Sequence, residues 1–474
     1  MTQTAEYQGP LAGLNVIDFG HYYAGPVAAM HLADQGANVI RIVRPSEHEP
    51  SAYHKELPDQ QYRVFNRNKK LLTLDLKSAE DKAVAESLIE KADVVIENFR
   101  PGVMKRLGLD YASVKDKNPG LIYLSLPGFA STDKARSHLQ AWEGVMSAAI
   151  GIYKDYSVIR EQLDYPPLYT PLAHSSLYGG AHGVVAVMAA LLAREKHGYG
   201  TLLEVPLTDA GLSGLTTYFT IRTQINSTNA PYLKVAEEEA ERPFHYCPED
   251  SQQVQEEKLG KAYRNAAPAL HKTYLTADNR RLELWYNSSG NERAYKILGI
   301  NDQLQREGFF YGTCWEKGFD NCLNSALSAE REQRLEQLIA EAFRTKTAEE
   351  WLKLLWHNNV AMVRSREEFL ALEPMVNSGV LAKMDNGKSE LTMPGRLCDI
   401  SGPGDSIWLE FQDATAITAA QAIEFFSHYT PKTPLGKRPS QKKGDMLRGL
   451  KVLDLANVMA IPMSCYILGQ YGAE

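Results

Sequence analysis

The feature that most constrains this chain is an internal repeat, in which residues 11–38 and residues 447–474 align without a gap. A shift of 436 positions makes ten of the 28 aligned positions identical, among them a glycine, an aspartate, a proline and a closing Gly-Ala pair. So many identities in one register exceed what two unrelated segments share by chance. We therefore expect one complete copy of a repeated unit, followed by the start of a second copy.

Each copy has the pattern of a buried parallel strand, a tight loop and a helix. Pro26 suits a first helical turn, where its missing N–H is not needed, and Gly36 suits a left-handed helix end. A second strand at residues 38–43 follows in the first copy, whereas the second copy reaches Glu474 before that strand begins. We therefore expect residues 447–474 to be a truncated repeat, preceded by a Pro- and Lys-rich linker at 430–446.

Strand and helix patterns alternate through the first copy, which predicts an α/β fold with a Rossmann-like parallel sheet. Ser78 with Asp81 predicts the cap of a helix, and Thr347 with Glu350 predicts a capping box. The expected organisation is a large cofactor-binding α/β domain at 1–224 and a smaller α+β domain at 225–340, with a return to the large domain at 341–429. The apolar stretch at 177–193 is interpreted as a core helix because it is too short and too rich in glycine to span a membrane.

The charge of the chain limits the partners that it can bind. A net charge of −7 and a pI near 6.0 disfavour nucleic acids and anionic membranes. Five widely spaced cysteines form no C-x-x-C pair, so we predict free thiols and no metal site. The first ten residues, MTQTAEYQGP, contain neither a basic region nor an apolar run, so we expect no signal peptide and a cytoplasmic protein. An anionic ligand would need a local basic cluster, and two candidates are expected at carboxyl-end loops of the sheet. One contains Arg63, Arg67, Lys69 and Lys70, and the other contains Arg100 and Arg106.

The loop after the first strand reads FGHYYAGP, so the G-x-G-x-x-G fingerprint of a nicotinamide dehydrogenase is absent. Five segments instead resemble the family III coenzyme A (CoA) transferases, the group that includes the formyl-CoA transferases. They are GHYYAGP, NRNKKLLTLDLK, ADVVIENFRPGVMKRLGLDY, LIYLSLPGF and AALLAREKHGYGTLLEVPLTDA. The resemblance implies a CoA site near His21, Tyr22, Ala24, Asn98, Phe99, Arg100 and Arg106, with weaker matches at Arg44 and Lys69.

The resemblance also implies an aspartate that attacks an acyl-CoA, and this copy lacks it. The expected slot falls on Ser176 or, with a two-residue slip, on His174, and the string PLAHSSLYGGAHG contains no carboxylate. A serine mechanism with His174 or His182 is disfavoured because there is no G-x-S-x-G elbow. The nucleophile is therefore expected in the second copy, which leaves this half alone inactive. Asp18, Glu204 and Asp209 are interpreted as structural carboxylates.

The tandem arrangement resembles the branch of the family that loads CoA onto dimethylsulfoniopropionate and then releases dimethyl sulfide. Tyr22, Tyr23 and Trp142 could face such a sulfonium through cation–π attraction. The alternatives are a general acyl-CoA:carboxylate CoA transferase, a racemase on the same fold, and a non-catalytic scaffold that binds CoA. The expected ligands are an acyl-CoA and a small carboxylic acid. The expected assembly pairs the two repeats as a pseudo-dimer, with a homodimer as a further option.

Overall fold

The structure of the protein is a computed structural model. In it the chain forms two compact units. The first unit comprises Met1–Ile152, Thr170–Phe219 and Pro374–Glu474, and the second comprises Tyr153–Tyr169 and Thr220–Glu373. The small domain expected at 225–340 falls within the second unit, which continues to Glu373. The described residues are 9–45, 59–155, 169–170, 172–215, 269–285, 291–312, 321–323, 327, 329–355, 360–373, 381–385, 387, 389–395, 411–431, 446–455 and 460–474.

The first unit is built on a seven-stranded parallel sheet, which confirms the predicted fold class. Its strand order is β12-β3-β2-β1-β4-β5-β6, so the chain runs outward from β1 to β3 and then continues on the other side with β4. The strands are β1 (Asn15–Asp18), β2 (Asn38–Val43), β3 (Lys70–Thr73), β4 (Val94–Glu97), β5 (Ile122–Ser125), β6 (Leu202–Glu204) and β12 (Thr415–Ile417). This order places a topological switch point between β1 and β4, where open α/β sheets bind ligands.

Alternating side chains of the central strands divide between two cores, as the two-residue period of a strand requires. Val16 and Ile96 belong to the core that contains α1 (Ala24–Ala33), whereas Ile17 and Val95 belong to the core on the opposite face. All four side chains have no solvent exposure, so both faces of the sheet are covered. Continuous burial explains why these strands read as apolar runs.

Helices cover both faces of this sheet. Besides α1, the helices of the first unit are α2 (Asp59–Asn66), α3 (Ala79–Ile89), α4 (Val103–Leu107), α5 (Tyr111–Val114), α6 (Glu143–Ala149), α8 (His174–His197), α9 (Leu207–Ser213), α15 (Ala419–Phe425) and α16 (Ala460–Gln470). Helix α7 (Ile152–Asp155) lies at the boundary in sequence between the two units. Ser78 caps α3 by accepting a hydrogen bond from Asp81 N, Pro26 lies in the first turn of α1, and Gly36 has φ 97°. All three predictions are confirmed. Helix α8 is longer than the predicted 177–193, and its buried face packs in the core with α1.

The second unit has an antiparallel sheet in the order β7-β8-β9, from β7 (Thr273–Leu275), β8 (Arg281–Leu284) and β9 (Val360–Met362). Its helices are α10 (Asn291–Leu298), α11 (Asn301–Arg306), α12 (Ala329–Phe343), α13 (Ala348–Leu355) and α14 (Arg366–Leu370). The predicted capping box is confirmed, since Thr347 N donates to Glu350 and Glu350 N donates to Thr347 Oγ1. In the first unit, β10 (Leu381–Asp385) and β11 (Glu390–Pro394) form a separate hairpin.

Backbone hydrogen bonds in the carboxyl-terminal segment match those in the first copy at positions shifted by 436. Leu11 N donates to Gln35 O and Asn38 N to Leu14 O; likewise, Leu447 N donates to Tyr471 O and Glu474 N to Leu450 O. The left-handed glycines correspond too, with φ 82° and 97° at Gly13 and Gly36 and φ 85° and 94° at Gly449 and Gly472. Residues 451–454 nevertheless form no strand, whereas their counterparts, residues 15–18, form β1.

Candidate coenzyme A site

The loop between β1 and α1 is the centre of the candidate site because it follows the carboxyl end of β1 at the switch point. Asp18 Oδ1 accepts a hydrogen bond of 2.7 Å from Gly20 N and so turns the chain directly after the strand. Gly20 must be small, since a Cβ there would lie 2.6 Å from Gly25 Cα. Tyr22 has φ 59°, a left-handed conformation that is strained for an aromatic residue and that tends to occur at functional sites.

Asn98 joins this loop to the end of β4. Its Oδ1 accepts a hydrogen bond from His21 N at 2.8 Å, and its Nδ2 donates to His21 O at 2.8 Å. The His21 ring meets the Phe99 ring edge-on, with centroids 5.0 Å apart. The reciprocal bonds hold His21 by both of its backbone groups. The structure therefore brings together His21, Tyr22, Asn98 and Phe99, which the sequence placed near CoA.

Glu97, the last residue of β4, is a buried carboxylate that the sequence reasoning did not single out. Burial raises its pKa to about 7, and Glu204 adds to this, while hydrogen bonds from Ser125 and from Phe99 N oppose the rise. Phe99 N donates to Glu97 Oε2 at 2.8 Å. The protonation of Glu97 is therefore linked to the backbone beside Asn98. The sequence feature that could have pointed to Glu97 is its position at the end of an apolar strand.

Three predicted arginines lie on the segments that follow β2 and β4, the two neighbours of β1 in the sheet. Arg44 follows the last residue of β2, and both Arg100 and Arg106 follow β4; all three are exposed. Arg100 Nη1 donates to His138 O at 3.0 Å, and Arg106 lies in the last turn of α4. Because the strands are parallel, these segments leave the same edge of the sheet. Exposed guanidinium groups at that edge suit the phosphates of CoA.

The other basic cluster lies elsewhere, so its expected position at a carboxyl-end loop is corrected. Residues 63–69 precede β3 and therefore lie at its amino end. Arg63 pairs with Asp413 at 2.8 Å, and Arg67 pairs with Asp34 at 2.6 Å. These arginines tie together parts of the first unit that are distant in sequence.

Lys69 is completely buried beneath the β1–α1 loop. Its ammonium donates to Asp18 Oδ2 at 2.9 Å and to Pro26 O at 2.9 Å, and the side chains of Lys69 and Asp18 are both 0% exposed. Burial lowers the pKa of Lys69 to about 8, although Asp18 opposes the shift. Lys69 therefore supports the loop from below. Asp18 has the structural role predicted for it.

The aromatic candidates occupy two separate places. The Tyr22 and Trp142 rings meet edge-on at 4.9 Å, and Trp142 is 46% exposed. Tyr23 instead contacts Phe65 at 5.3 Å, and its hydroxyl donates to Gln61 at 2.9 Å. Ala24 begins α1 and is buried, so any contact with a cofactor there would involve its backbone.

The nucleophile slot is occupied by a hydrogen-bonded group that the sequence did not reveal. Ser176 Oγ donates to Glu143 Oε2 at 2.6 Å, while the backbone N–H groups of Ser175 and Ser176 donate to the two Glu143 oxygens at 2.8 and 3.1 Å. His182 Nε2 lies 2.9 Å from Ser213 Oγ, and His174 stacks on Tyr178. Ser176 thus donates to a carboxylate and not to a histidine. Glu143 lies 33 residues before Ser176, so no local pattern indicates their contact.

The remaining carboxylates near the slot have local partners. Glu204 Oε1 accepts a hydrogen bond from Ser131 N at 2.8 Å, and Asp209 Oδ1 accepts one from Thr208 Oγ1 at 3.3 Å. These contacts agree with structural roles. Within the described ranges, no three metal-ligating side chains come together. Cys322 and Cys465 are free thiols there, whereas Cys247, Cys314 and Cys398 lie outside the described residues.

Known proteins resemble this chain in both sequence and fold. It is 32% identical over 98% of its length to the CoA-transferase/lyase DddD of Marinomonas sp. (strain MWYL1), and the match covers 56% of that protein. It is 36% identical over 45% of its length to an acetyl-CoA:oxalate CoA-transferase of Acetobacter aceti, covering 56% of that protein. The chain thus spans about half the length of the curated relatives that it matches.

Solved structures share the fold at lower sequence identity. Rv3272 of Mycobacterium tuberculosis superposes with a TM-score of 0.62 at 22% identity, over 88% of this chain and 99% of that one. A CAIB/BAIF family protein of Brucella suis superposes with a TM-score of 0.59 at 19% identity, over 90% of this chain and 100% of that one. The sequence profile described as CoA-transferase family III matches residues 11–409. The chain therefore belongs to CoA-transferase family III.

Proposed function

We propose that this protein transfers CoA from an acyl-CoA to dimethylsulfoniopropionate and then cleaves the product to release dimethyl sulfide. The observation that carries the proposal is the pair of hydrogen bonds between Asn98 and His21 at the switch point. They preorganise a loop that is flanked by segments carrying exposed arginines. A preorganised loop binds without the entropy cost of ordering, and arginines neutralise phosphates.

The choice of acid rests on the relative named as a CoA-transferase/lyase and on the aromatic contact beside the loop. Trp142 touches Tyr22 and has nearly half of its surface exposed, so its ring can face a ligand. A sulfonium is a soft cation that an aromatic face attracts. The carboxylate of dimethylsulfoniopropionate would be the group that accepts CoA.

The experiment incubates the purified intact protein with acetyl-CoA and dimethylsulfoniopropionate. Headspace gas chromatography follows dimethyl sulfide, and liquid chromatography with mass spectrometry follows the CoA esters. Release of dimethyl sulfide that depends on acetyl-CoA is the expected result. If a new CoA ester forms without release of dimethyl sulfide, the proposed transferase activity stands and the proposed lyase activity does not. If neither a CoA ester nor dimethyl sulfide forms, the result contradicts the whole proposal.

The oxalate CoA-transferases among the relatives favour a second candidate, a general acyl-CoA:carboxylate CoA transferase. The same assay with oxalate in place of dimethylsulfoniopropionate distinguishes the two. A rate with oxalate that exceeds the rate with the sulfonium acid would favour this candidate. Arg106→Ala tests the shared CoA site, since it should weaken CoA binding in equilibrium dialysis whichever acid is accepted.

The segment 447–474 supports the further proposal that the protein contains a second repeat. Its backbone bonds match those of the first copy, yet Leu453 and Leu455 are 82% and 86% exposed, whereas their counterparts Ile17 and Phe19 are 0% and 2% exposed. Apolar side chains at these positions call for a covering sheet, and the first copy provides one with its neighbouring strands. A second sheet would make a pseudo-dimer of the two repeats.

A further inference from the structure

Glu97 lies at the carboxyl end of β4, where the segment of the candidate CoA site leaves the sheet. Its backbone is fixed there, because Leu126 N donates to Glu97 O at 2.9 Å. Its side chain accepts a hydrogen bond of 2.8 Å from Phe99 N and another from the Ser125 side chain. Only 6% of the residue is exposed. Glu97 is thus a buried carboxyl group held between β5 and the segment that follows β4.

Asn98 lies between the two residues that the hydrogen bond from Phe99 N to Glu97 joins. The bond closes a short turn and so restricts the directions in which the Asn98 side chain can point. That side chain holds His21 by both of its backbone groups, and the Phe99 ring meets the His21 ring with centroids 5.0 Å apart. Arg100, which is exposed, is the next residue. A change at Glu97 would therefore reach both loops of the candidate CoA site.

The groups on β5 and β6 that face Glu97 favour its protonated form near neutral pH. Burial raises the pKa of Glu97 to about 7, and the negative charge of Glu204, on β6, adds to the rise against the hydrogen bonds from Ser125 and Phe99 N. Burial also raises the pKa of the Tyr123 hydroxyl on β5, and the charge of Glu97 adds to that rise. Glu97 can therefore gain or lose a proton in the range where the protein would bind its ligand.

Three further titratable groups lie on the β1 side of Glu97. Asp18 on β1 is paired with Lys69 at 2.9 Å, and burial lowers the pKa of Lys69 to about 8. The third is His21, whose ring contacts Phe99. These groups would also respond to a bound anion, so a test of Glu97 has to separate its proton from theirs.

We propose that Glu97 is a positioning residue of the CoA site, which holds the segment after β4 in its binding conformation and takes up a proton when CoA binds. The inference rests on the CoA-transferase function proposed above. CoA carries phosphates that are negative at neutral pH, and Arg100 and Arg106 on this segment suit them. Negative charge that arrives there favours the neutral form of Glu97. By linkage, CoA then binds more tightly to protein in which Glu97 is protonated.

The direction of the pH dependence follows from this linkage. Below pH 7 Glu97 is already protonated in the free protein, so it adds no pH dependence to the binding of CoA. Above pH 7 the free protein has lost this proton, so the affinity falls as the pH rises, until Glu97 is ionised in the complex as well. One like charge at roughly 10–15 Å in a partly screened site changes an affinity by about threefold to tenfold.

The test measures the dissociation constant of CoA by isothermal titration calorimetry between pH 6 and pH 9. It compares the purified intact protein with the variants Glu97→Gln and Glu97→Ala. Ionisation of CoA, His21 and Lys69 contributes to all three proteins alike, so a difference from the wild type isolates Glu97. A role in folding alone would lower the affinity of a variant by the same factor at every pH.

Glu97→Gln should bind CoA within about twofold of the wild type at pH 6, because its amide oxygen can still accept from Phe99 N. Between pH 6 and pH 9 its affinity should fall about threefold to tenfold less than that of the wild type. Glu97→Ala lacks the acceptor and should bind about fivefold more weakly than the wild type at pH 6. Equal affinities of the two variants at pH 6 would overturn the positioning role.

Ser125→Ala provides a second measurement that keeps the Glu97 carboxyl group. It removes a donor that stabilises the ionised form, so the pH above which the affinity falls should move upward. If Glu97→Gln fails to fold, as judged by circular dichroism, the presence or absence of this shift decides the question. The same pH dependence in the wild type and Glu97→Gln would overturn the inference and leave the CoA site standing. Failure of the wild type to bind CoA at any pH would overturn the proposed function as well.

Discussion

At the scale of single residues, Asn98 determines how well the site loop is ordered before a ligand arrives. We expect Asn98→Ala to weaken CoA binding by roughly tenfold or more. Two hydrogen bonds to His21 are lost, each contributing about 1 kcal/mol, and the loop would then have to be ordered on binding. Isothermal titration with CoA measures the effect.

Asn118→Ala is the matched control, because the Asn118 side chain also makes two hydrogen bonds to the backbone, by donating to the carbonyls of Ile89 and Ala92, away from the loop. It should lower stability and leave CoA affinity within about twofold. Equal losses of affinity in both variants would show that Asn98 acts through general stability alone.

The raised pKa of Glu97 should make the stability of the folded protein depend on pH. Its pKa rises from an ordinary value of 4.5 to about 7 in the folded protein, with burial as the main cause. Between those values the folded state holds a proton that the unfolded state has lost, so this residue lowers the stability as the pH rises toward 7. Above pH 7 both states are ionised and the loss is complete.

Glu97→Gln should remove this dependence because the amide stays neutral and its oxygen can still accept from Phe99 N. The variant should exceed the wild type in unfolding free energy by up to about 3 kcal/mol near pH 8, and by little near pH 5. Urea denaturation at both pH values provides the comparison. A difference that is the same at both values would mean that Glu97 does not titrate as its burial implies.

At the scale of elements, the buried pair of Lys69 and Asp18 connects the start of β3 to β1 and α1. Lys69→Met should lower the unfolding free energy by about 3–5 kcal/mol, because Asp18 would keep a buried charge without its counter-ion. Changing both residues, as Lys69→Met with Asp18→Asn, should cost less than the single change. Chemical denaturation of the single and double variants tests this order.

Lys117→Met provides the comparison for a surface lysine. Lys117 pairs with Glu86 at 3.4 Å and Glu90 at 3.2 Å, and its side chain is half exposed, so its loss should cost less than about 1 kcal/mol. If Lys69→Met lowered the unfolding free energy by as little as Lys117→Met does, the pair of Lys69 and Asp18 would be as well hydrated as the surface pairs.

Helices and strands could be predicted from the sequence where local patterns determine them. Pro26, Gly36 and Ser78 act on residues a few positions away, so their roles follow from local rules, and short apolar runs indicated the buried strands. Arg63 and Asp413 are 350 residues apart, and Glu143 meets Ser176 only once α6 and α8 are in place. Sequence reasoning therefore found the loops of the site and missed the contacts that depend on packing between distant segments.

At the scale of the whole molecule, Leu453 and Leu455 differ most from their repeat counterparts. Ile17 and Phe19 lie in the core beneath the sheet, whereas both leucines are almost fully exposed. Replacing both by serine should reduce self-association of the 474-residue chain in sedimentation velocity, since exposed apolar residues promote association. Leu192→Ser, at a half-exposed leucine outside the repeat, is the control and should have a smaller effect.

In a longer chain that carries a complete second repeat, the same two substitutions, Leu453→Ser and Leu455→Ser, should instead lower the stability of the folded protein. There the two leucines would be covered as Ile17 and Phe19 are, and burying two hydroxyls in place of two large apolar side chains should cost several kcal/mol. Thermal denaturation of the longer protein, with and without the substitutions, measures this loss. An unchanged melting temperature would mean that no second sheet covers these residues, and the matching backbone bonds of residues 447–474 would then reflect a local repeat alone.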